Sequence, residues 1–588
     1  MSRKSWRYMI FLLSIWLLIL GYMGWHLFVL VGDSNRNQAA LDRKERHVDL
    51  LKSQNQKLKE MISDLQSKIN NLETSASVKE KKFKNILKRM ESSKERDQTA
   101  VEKVQREESN IKTDLSLKTE SSSCLPSLEA EKARRRTEYE VKELWYYVSA
   151  EITKINKETR LETKNKLTNM LNNVELLHHH LTNDLEKRKI LEYGDSWRQK
   201  EHEELSQLVQ SRFDRLQNPE DCASAKKLIC QINKGCGYGC QAHHVLYCFI
   251  VAFGLQRTLV IDSAGWRYSS RGWEGVFEPI SKTCKSYSGS VDDWGEGTSN
   301  NKNVLLPIVD SLYPRPPHMP LAVPEDLSLR LSKLHGHPFV WWIGQFTKYL
   351  FRFTPGVQKE IDEKKEKLGF KHPIVGVQVR RTDKINTEAA FHSIEEYMYW
   401  VELYYKQRSK KEKIDKKRVF LATDDPSVLP EAKKKYKDYE FISDNGISKS
   451  AGLGSRYSES SLHGVIFDIQ MLSECDFLVC TFSSQVCRLG YEIMQSKHPD
   501  ASRFFQSLDD IYYFGGQSGH NVRAVVPHKA QNGDEIDLEV GDLVGIAGNH
   551  WDGYSKGTNH RTGQTGLYPS WKVEEVMETA KFPTYNTK

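Results

Sequence analysis

Several signatures that would settle a chain's chemistry are missing here. No glycine stretch has the spacing of a phosphate-binding P-loop, which argues against an ATPase or a typical P-loop sulfotransferase. No Asp-x-Asp pair occurs, the device with which many sugar-nucleotide transferases hold a metal. Asp424 and Asp425 are adjacent instead, and adjacent side chains on a strand splay to opposite faces. No zinc-finger, basic-zipper or RNA-binding signature accompanies the net charge of +8, which is modest for 588 residues. Asn-x-Ser/Thr is absent too, so the chain is not expected to carry N-glycans of its own. Charge itself is missing from one place, the 23 residues from Met9 to Val31.

That gap is long enough to span a bilayer, and Trp6, Tyr8, Trp25 and His26 add interfacial character. Arg3, Lys4 and Arg7 precede it, and positive charges on the short side stay cytosolic. A cleavable signal peptide would have a shorter apolar core and a small-x-small cleavage site. Here Gly32-Asp33 leads straight into charged sequence. We therefore read 1–8 as a cytosolic tail, 9–31 as a retained transmembrane signal anchor, and the remainder as luminal. The ten cysteines fit an oxidising lumen: six fall from Cys222 to Cys284, Cys475, Cys480 and Cys487 cluster later, and Cys124 stands alone. Such clustering reads as disulfides. "CGYGC" (236–240) has the look of a metal knuckle, but the intervening spacings fit no tetrahedral zinc pattern well.

Residues 32–125 read as a coiled-coil stem. With Val48 as an a position, the seam runs Val48, Leu51, Asn55, Leu58, Ile62, Leu65, Ile69 and Leu72. One Asn at an a position fixes register in a two-stranded coil, so a homodimer through the stem is expected. After a break at "SSSCLPS", residues 126–220 have helical periodicity and end near Pro219. Consecutive helical residues point about 100° apart, so His178, His179 and His180 cannot all face one ion. From 221 the pattern becomes short apolar runs between helical segments: "RTLVID", "NVLLPIVD", "HPIVGVQV", "RVFLATDD", "EFISD" and "DFLVCTFSS". This alternation indicates parallel α/β layers. The length suits two lobes, 221–355 and 356–512, joined by a helix in "HPFVWWIGQFTKYLFRFTP". Residues 517–577 hold short strands and a "GLYPS" segment in the order of an SH3 domain. Val526 and His528 stand where peptide-binding SH3 domains carry tyrosines. A proline-rich ligand, which needs an aromatic groove, is therefore not expected.

Ligands of open α/β sheets bind beyond the carboxyl ends of strands. Four candidate ends carry polar side chains: "VRRTDK" (379–384), "ATDDPS" (422–427), "ISDN" (442–445) and "CTFSSQ" (480–485). A guanidinium fork suits a phosphate. Because strand side chains alternate, one of Arg380 and Arg381 should face the ligand while the other pairs with Asp383 or another acid. A plain salt-bridge network is the bland alternative. Cationic side chains could take a metal's place in stabilising a departing diphosphate. "KGCGYGC" (234–240) offers backbone that can approach a ligand closely, although its glycines could equally just accommodate disulfides.

The motifs "VRRTDK…TEAAFHSIEEYM", "FLATDDPS", "EFISDN", "DFLVCTFSSQVCR", "SLDDIYYFGGQ" and "GNHWDGYSKG" resemble, in order, those of the eukaryotic Golgi α-1,6-fucosyltransferases of N-glycan cores. The resemblance covers about residues 120–588, and the anchor-and-stem layout matches as well. It implies a GT-B-like pair of α/β lobes, the second a Rossmann-type donor lobe, followed by an SH3-like barrel. The implied reaction is inverting transfer of L-fucose from GDP-β-L-fucose to the 6-hydroxyl of the asparagine-linked GlcNAc, with no metal or other cofactor.

By that resemblance Arg380 would hold the diphosphate and Asp468 the guanine. Arg381, Asp383, Gln378, Tyr268, Tyr397, Asp424, Asp425 and Ser484 would complete or support the donor pocket. Glu388 resembles the general base and Lys384 would couple it to the leaving phosphate; a carboxylate must reach the acceptor hydroxyl while a cation stabilises the diphosphate. Lys234 and Asp310 resemble acceptor contacts, and His550 a contact from the SH3 side. The implied disulfides are Cys222–Cys284, Cys230–Cys248, Cys236–Cys240 and Cys480–Cys487, leaving Cys124 and Cys475 unpaired and Cys124 free to link stems.

One departure matters. The family motif begins His-x-Arg-Arg-x-Asp, whereas this chain has Gln378 in the histidine's place. Gln donates and accepts hydrogen bonds but carries no charge, so altered or weakened donor affinity is expected, with the chemistry kept. Two other readings share the layout: a tethered glycan-binding protein with a degenerate site, and a transferase of another nucleotide sugar.

Overall fold

The structure, a computed structural model, describes residues 126–585 apart from 159–160, 194–195, 298–299, 309–311, 319–320, 383–389, 453 and 515–519. The cytosolic tail, the anchor, the heptad seam and Cys124 lie outside the described residues. Among those described, no helix is long and apolar enough to cross a membrane.

Three helices come first, α1 Leu128–Glu158, α2 Leu161–Tyr193 and α3 Ser196–Gln217. Ser127 starts α1 by accepting the Ala130 amide (3.1 Å), and Glu129 and Glu131 follow in the first turn, where acids complement the helix dipole. Two of the run's three histidines are spent on packing. His178 stacks on Trp145 (centroids 5.5 Å apart), His179 meets Gln407, and His180 is exposed.

The first lobe holds β1 Lys227–Gln231, α4 Tyr238–Gly254, β2 Thr258–Asp262, β3 Asp292–Asp293, β4 Asn303–Leu305 and β5 Ala322–Pro324. Its parallel sheet runs β2-β1-β4-β3. Cys230–Cys248 pins β1 to α4, Cys236–Cys240 closes the α4 entrance, and Cys222–Cys284 ties the lobe's first loop to a later one. The link between lobes is three helices, α5 Ser328–Leu334, α6 Pro338–Leu350 and α7 Pro355–Lys367, with proline opening the last two.

The second lobe holds β6 Ile374–Val379, α8 Ile394–Arg408, β7 Lys417–Thr423, α9 Val428–Lys435, β8 Tyr439–Ile442, α10 Asn445–Ser450, α11 Glu459–Glu474, β9 Phe477–Cys480, α12 Gln485–Gln495 and β10 Phe505–Ser507. Its strands are all parallel in the order β10-β9-β6-β7-β8. Within the lobe that is 5-4-1-2-3, the doubly wound order, with its switch point between β6 and β9. Every residue of β6 is buried. Val375, Val377 and Val379 pack among α8 and α9 residues such as Tyr397, Val401 and Leu429. Gly376 faces α11, where a Cβ would sit 2.8 Å from Leu478 Cδ2 and 3.0 Å from the buried thiol of Cys475. Cys480–Cys487 joins β9 to α12.

The antiparallel barrel runs β14-β13-β12-β11-β15, from β11 Asn521–Ala524, β12 Leu543–Asn549, β13 Tyr554–Asn559, β14 Thr565–Pro569 and β15 Val573–Glu575. His528, in a tyrosine's usual place, is tied to Glu535 (2.9 Å). The chain then leaves the barrel as β16 Glu578–Ala580, which pairs in parallel with β5 of the first lobe. Phe582 follows it and stacks on Phe253 (5.8 Å). α1 braces the barrel's other side: Tyr139 donates to the Ser570 carbonyl (3.0 Å) and Arg136 to that of Val573 (2.9 Å).

Candidate functional site

At the carboxyl end of β6 the strand's alternation carries on into the charged turn. Gln378 and Arg380 continue the α11 face and Arg381 the α8–α9 face. Arg381 is spent on structure: it pairs with Glu431 of α9 (2.8 Å), reaches the His392 carbonyl (3.4 Å) and lies over the Phe391 ring (4.8 Å). Arg380 lies 2.9 Å from Asp424, which follows β7. Asp424 also accepts the amides of Arg381 (2.9 Å) and Thr382 (3.2 Å) and the Thr382 hydroxyl. One carboxylate therefore fixes both the turn's main chain and its outward arginine. Asp425 points elsewhere, capping α9 through the amide (2.9 Å) and hydroxyl (2.7 Å) of Ser427.

Across the switch point, Thr481 to Ser484 lead into α12, with Ser484 as the residue preceding the helix. Asp509, just after β10, accepts the amides of Phe482 (2.8 Å) and Ser483 (3.4 Å) and the Ser507 hydroxyl (3.0 Å). Sequence reading gave Asp509 no part. The signal was an acid pair directly after a short strand. Among the described residues, the buried Thr481 and Ser483 hydroxyls and the Gln378 side-chain carbonyl have no hydrogen-bond partner. Leaving buried polar groups unmet is costly, and such groups collect where a ligand will meet them.

Asp468 is buried on α11. Burial pushes its carboxyl well above the usual carboxylate range; Lys364 opposes that and Asp444 adds to it. Lys364 itself pairs with Asp444 (2.7 Å) at the end of β8. Tyr397 lies inside the lobe on the Arg381 side, edge-on to His392 (6.3 Å), and burial raises its phenol.

The first lobe presents its own strand ends to this edge. Past β2, the Tyr268 hydroxyl accepts the Tyr238 amide that opens α4 (2.9 Å), and its ring meets Tyr457 (5.1 Å). Tyr457 bridges the lobes: Arg267 lies over its ring (3.5 Å) and its hydroxyl donates to the Cys236 carbonyl (3.3 Å). Gly239 is glycine because α4 and α12 come this close; a Cβ there would sit 2.9 Å from Gln485 Cβ. Deeper in, His243 of α4 meets Glu492 of α12 (3.1 Å), and Tyr512 donates to the same carboxylate (2.7 Å). Lys234, past β1, is half-buried, which lowers its ammonium pKa. His550 is exposed between β12 and β13, its amide donating to the Tyr554 carbonyl (3.0 Å).

Of the residues singled out in the sequence, Gln378, Arg380, Asp424 and Ser484 share the carboxyl edge of the second sheet. Tyr268 and Lys234 share that of the first. Arg381, Asp425 and Tyr397 brace from behind. Asp310, Asp383, Lys384 and Glu388 lie outside the described residues.

Residues 1–513 match the family model for the N- and catalytic domains of alpha-(1,6)-fucosyltransferase, and residues 524–574 match a variant SH3 domain. A Drosophila melanogaster alpha-(1,6)-fucosyltransferase is 50% identical over 466 residues, 78% of this chain and 75% of that one. Its Caenorhabditis elegans counterpart is 43% identical over 468 residues, 78% and 81% of the two chains. Among solved structures, NodZ alpha-1,6-fucosyltransferase soaked with GDP-fucose matches 46% of this chain and 92% of its own at 17% identity, with a TM-score of 0.28. With most of its length matched at such identity, this chain belongs to the alpha-(1,6)-fucosyltransferase family.

Proposed function

We propose that the chain transfers L-fucose from GDP-β-L-fucose to the 6-hydroxyl of the innermost asparagine-linked GlcNAc of N-glycans, with inversion and without a metal ion. Family membership supports the reaction. The observation that carries its placement is Arg380, held by Asp424 at the switch point opposite the α12 entrance. In this reading Arg380 and Lys384 take up the charge developing on the diphosphate, while Glu388 removes the proton of the attacking hydroxyl. In-line attack turns a β-linked donor into an α-linked product. Asp468 receives the guanine, and Lys234, Asp310 and His550 meet the glycan from the first-lobe and barrel sides.

The enzyme is proposed to sit in the Golgi membrane as a single-pass type II protein with its catalytic region luminal. The four disulfides of the described region accord with an oxidising compartment. It is proposed to act as a homodimer through the coiled-coil stem, residues 32–125, whose a and d positions repeat as a heptad.

Incubation of the protein with GDP-fucose and an agalacto biantennary N-glycopeptide tests the reading. A gain of one deoxyhexose on the core GlcNAc is the expected result, and no gain overturns it. Glu388→Gln should keep donor binding while transfer falls by about 10²–10⁴, the usual share of a positioned general base. Full turnover by that variant would move the base elsewhere.

A further inference from the structure

Away from the donor cleft, three nitrogen and oxygen donors meet where the catalytic body touches the barrel. His337 immediately precedes α6, His520 immediately precedes β11, and Glu575 ends β15. One ligand atom from each lies within 4.8 Å of the other two. The imidazoles of His337 and His520 stand edge to face, centroids 6.0 Å apart. His520 Nε2 contacts the Glu575 carboxylate. Among the described residues, the buried His337 Nε2 has no hydrogen-bond partner.

We propose that His337, His520 and Glu575 bind a zinc ion that ties the catalytic body to the SH3-like barrel. Two imidazole nitrogens and one carboxylate oxygen form a donor set suited to zinc rather than to calcium or magnesium, which prefer all-oxygen shells. The Glu575 side chain keeps 49% of its surface while His520 keeps 7%, so one side of the site opens to solvent. An ion can enter there, and a water can supply the fourth ligand. The neighbouring His335 is already committed. Its Nε2 meets Gln495 (2.9 Å) and its Nδ1 accepts the His337 amide (2.9 Å). His520 Nε2 meets Glu575 without an ion, whereas among the described residues His337 Nε2 meets no hydrogen-bond partner, and an ion would give it one.

The role is structural. The three ligands come from segments far apart in sequence, so the ion acts as a cross-link between the start of α6 and two strands of the barrel. Such an ion contributes to stability by binding the assembled interface and not the open one.

The test uses the full-length protein in detergent, stripped with a chelator and then titrated with zinc or cobalt. One zinc per chain, a rise in unfolding temperature on adding zinc, and visible ligand-field bands for the cobalt form are the expected results. His337→Asn and Glu575→Gln should each weaken zinc binding by at least about tenfold and abolish the zinc-dependent rise. Their unfolding temperature without zinc reports whether they fold. Wild-type protein that holds no zinc, or shows no ligand-field bands with cobalt, overturns the proposal without recourse to any variant. So does zinc retained equally by both variants, which would place it elsewhere, as on His180.

Discussion

The Arg380 guanidinium lies 2.9 Å from Asp424, and that carboxylate also holds the main-chain amides of Arg381 and Thr382. Asp424→Asn keeps the side chain's size and one carbonyl acceptor but removes the charge facing Arg380. Transfer should fall through a raised KM for GDP-fucose, with kcat changed less. Arg380→Lys loses the fork itself, and kcat/KM should fall by about 10²–10³, the range for removing one preorganised donor from a developing charge. Steady-state kinetics on both variants separate the two effects. Equal KM values for Asp424→Asn and wild type would show that the turn holds without the charge.

Gln378 faces the α11 side with its side-chain carbonyl buried and without a hydrogen-bond partner among the described residues. Gln378→His restores an imidazole there and should lower the KM for GDP-fucose while leaving kcat within about threefold, since uniform binding acts on KM alone. An unchanged KM would separate this position from donor recognition.

The buried carboxyl of Asp468 titrates well above the ordinary range in the free protein. Guanine presents two N–H donors, which a carboxylate accepts and a protonated acid cannot accept as well. Donor binding should therefore expel a proton. GDP affinity should rise with pH until it passes the raised value and then level off. Calorimetry in buffers of different ionisation heat measures that proton directly. Asp468→Asn should bind GDP more weakly with the pH dependence gone. A buffer-independent heat would show that Asp468 does not titrate on binding.

Glu143 of α1 is buried against the barrel, and burial pushes its carboxyl up to about 7 from an ordinary 4.5. The folded chain thus keeps a proton there that the unfolded chain gives up. Stability should be unpenalised below pH 4.5, fall as pH rises from 4.5 to 7, and stay lowered above that. The cost reaches about 3 kcal/mol, at 1.36 kcal/mol for each pK unit. Glu143→Gln should unfold at a higher temperature than wild type at pH 8 and match it near pH 4.5. A constant difference across that range would remove the titration from the account.

The second lobe was largely legible because its strands are apolar runs that stop at charged residues, and because alternation separates Arg380 from Arg381. Which acid receives Arg381 was not legible: Glu431 lies on a different helix, brought near only by the crossover. Asp509 was hidden for the same reason, since its role depends on β10 lying next to β9. "KLICQ" and "FQS" were missed as strands because they are short and mixed in character, and their pairing with neighbours decides them. The helical character of 126–220 was legible from its periodicity, and the described part of that region is helical. Gly239 looked like a companion of the disulfides. Its reason is the closeness of α12, which no local pattern encodes.

The parallel pairing of β16 with β5 also sets an order of events during synthesis. The edge of the first lobe at Ala322–Pro324 waits for a partner made from Glu578–Ala580, which leaves the ribosome later. At 5–20 residues per second, roughly 10–50 s pass between the two. Over that interval the strand edge and the Phe253 surface that Phe582 will cover stay open, long enough for chaperones to act on the nascent chain. A stop codon just before Glu578 would leave that edge unpaired in every copy.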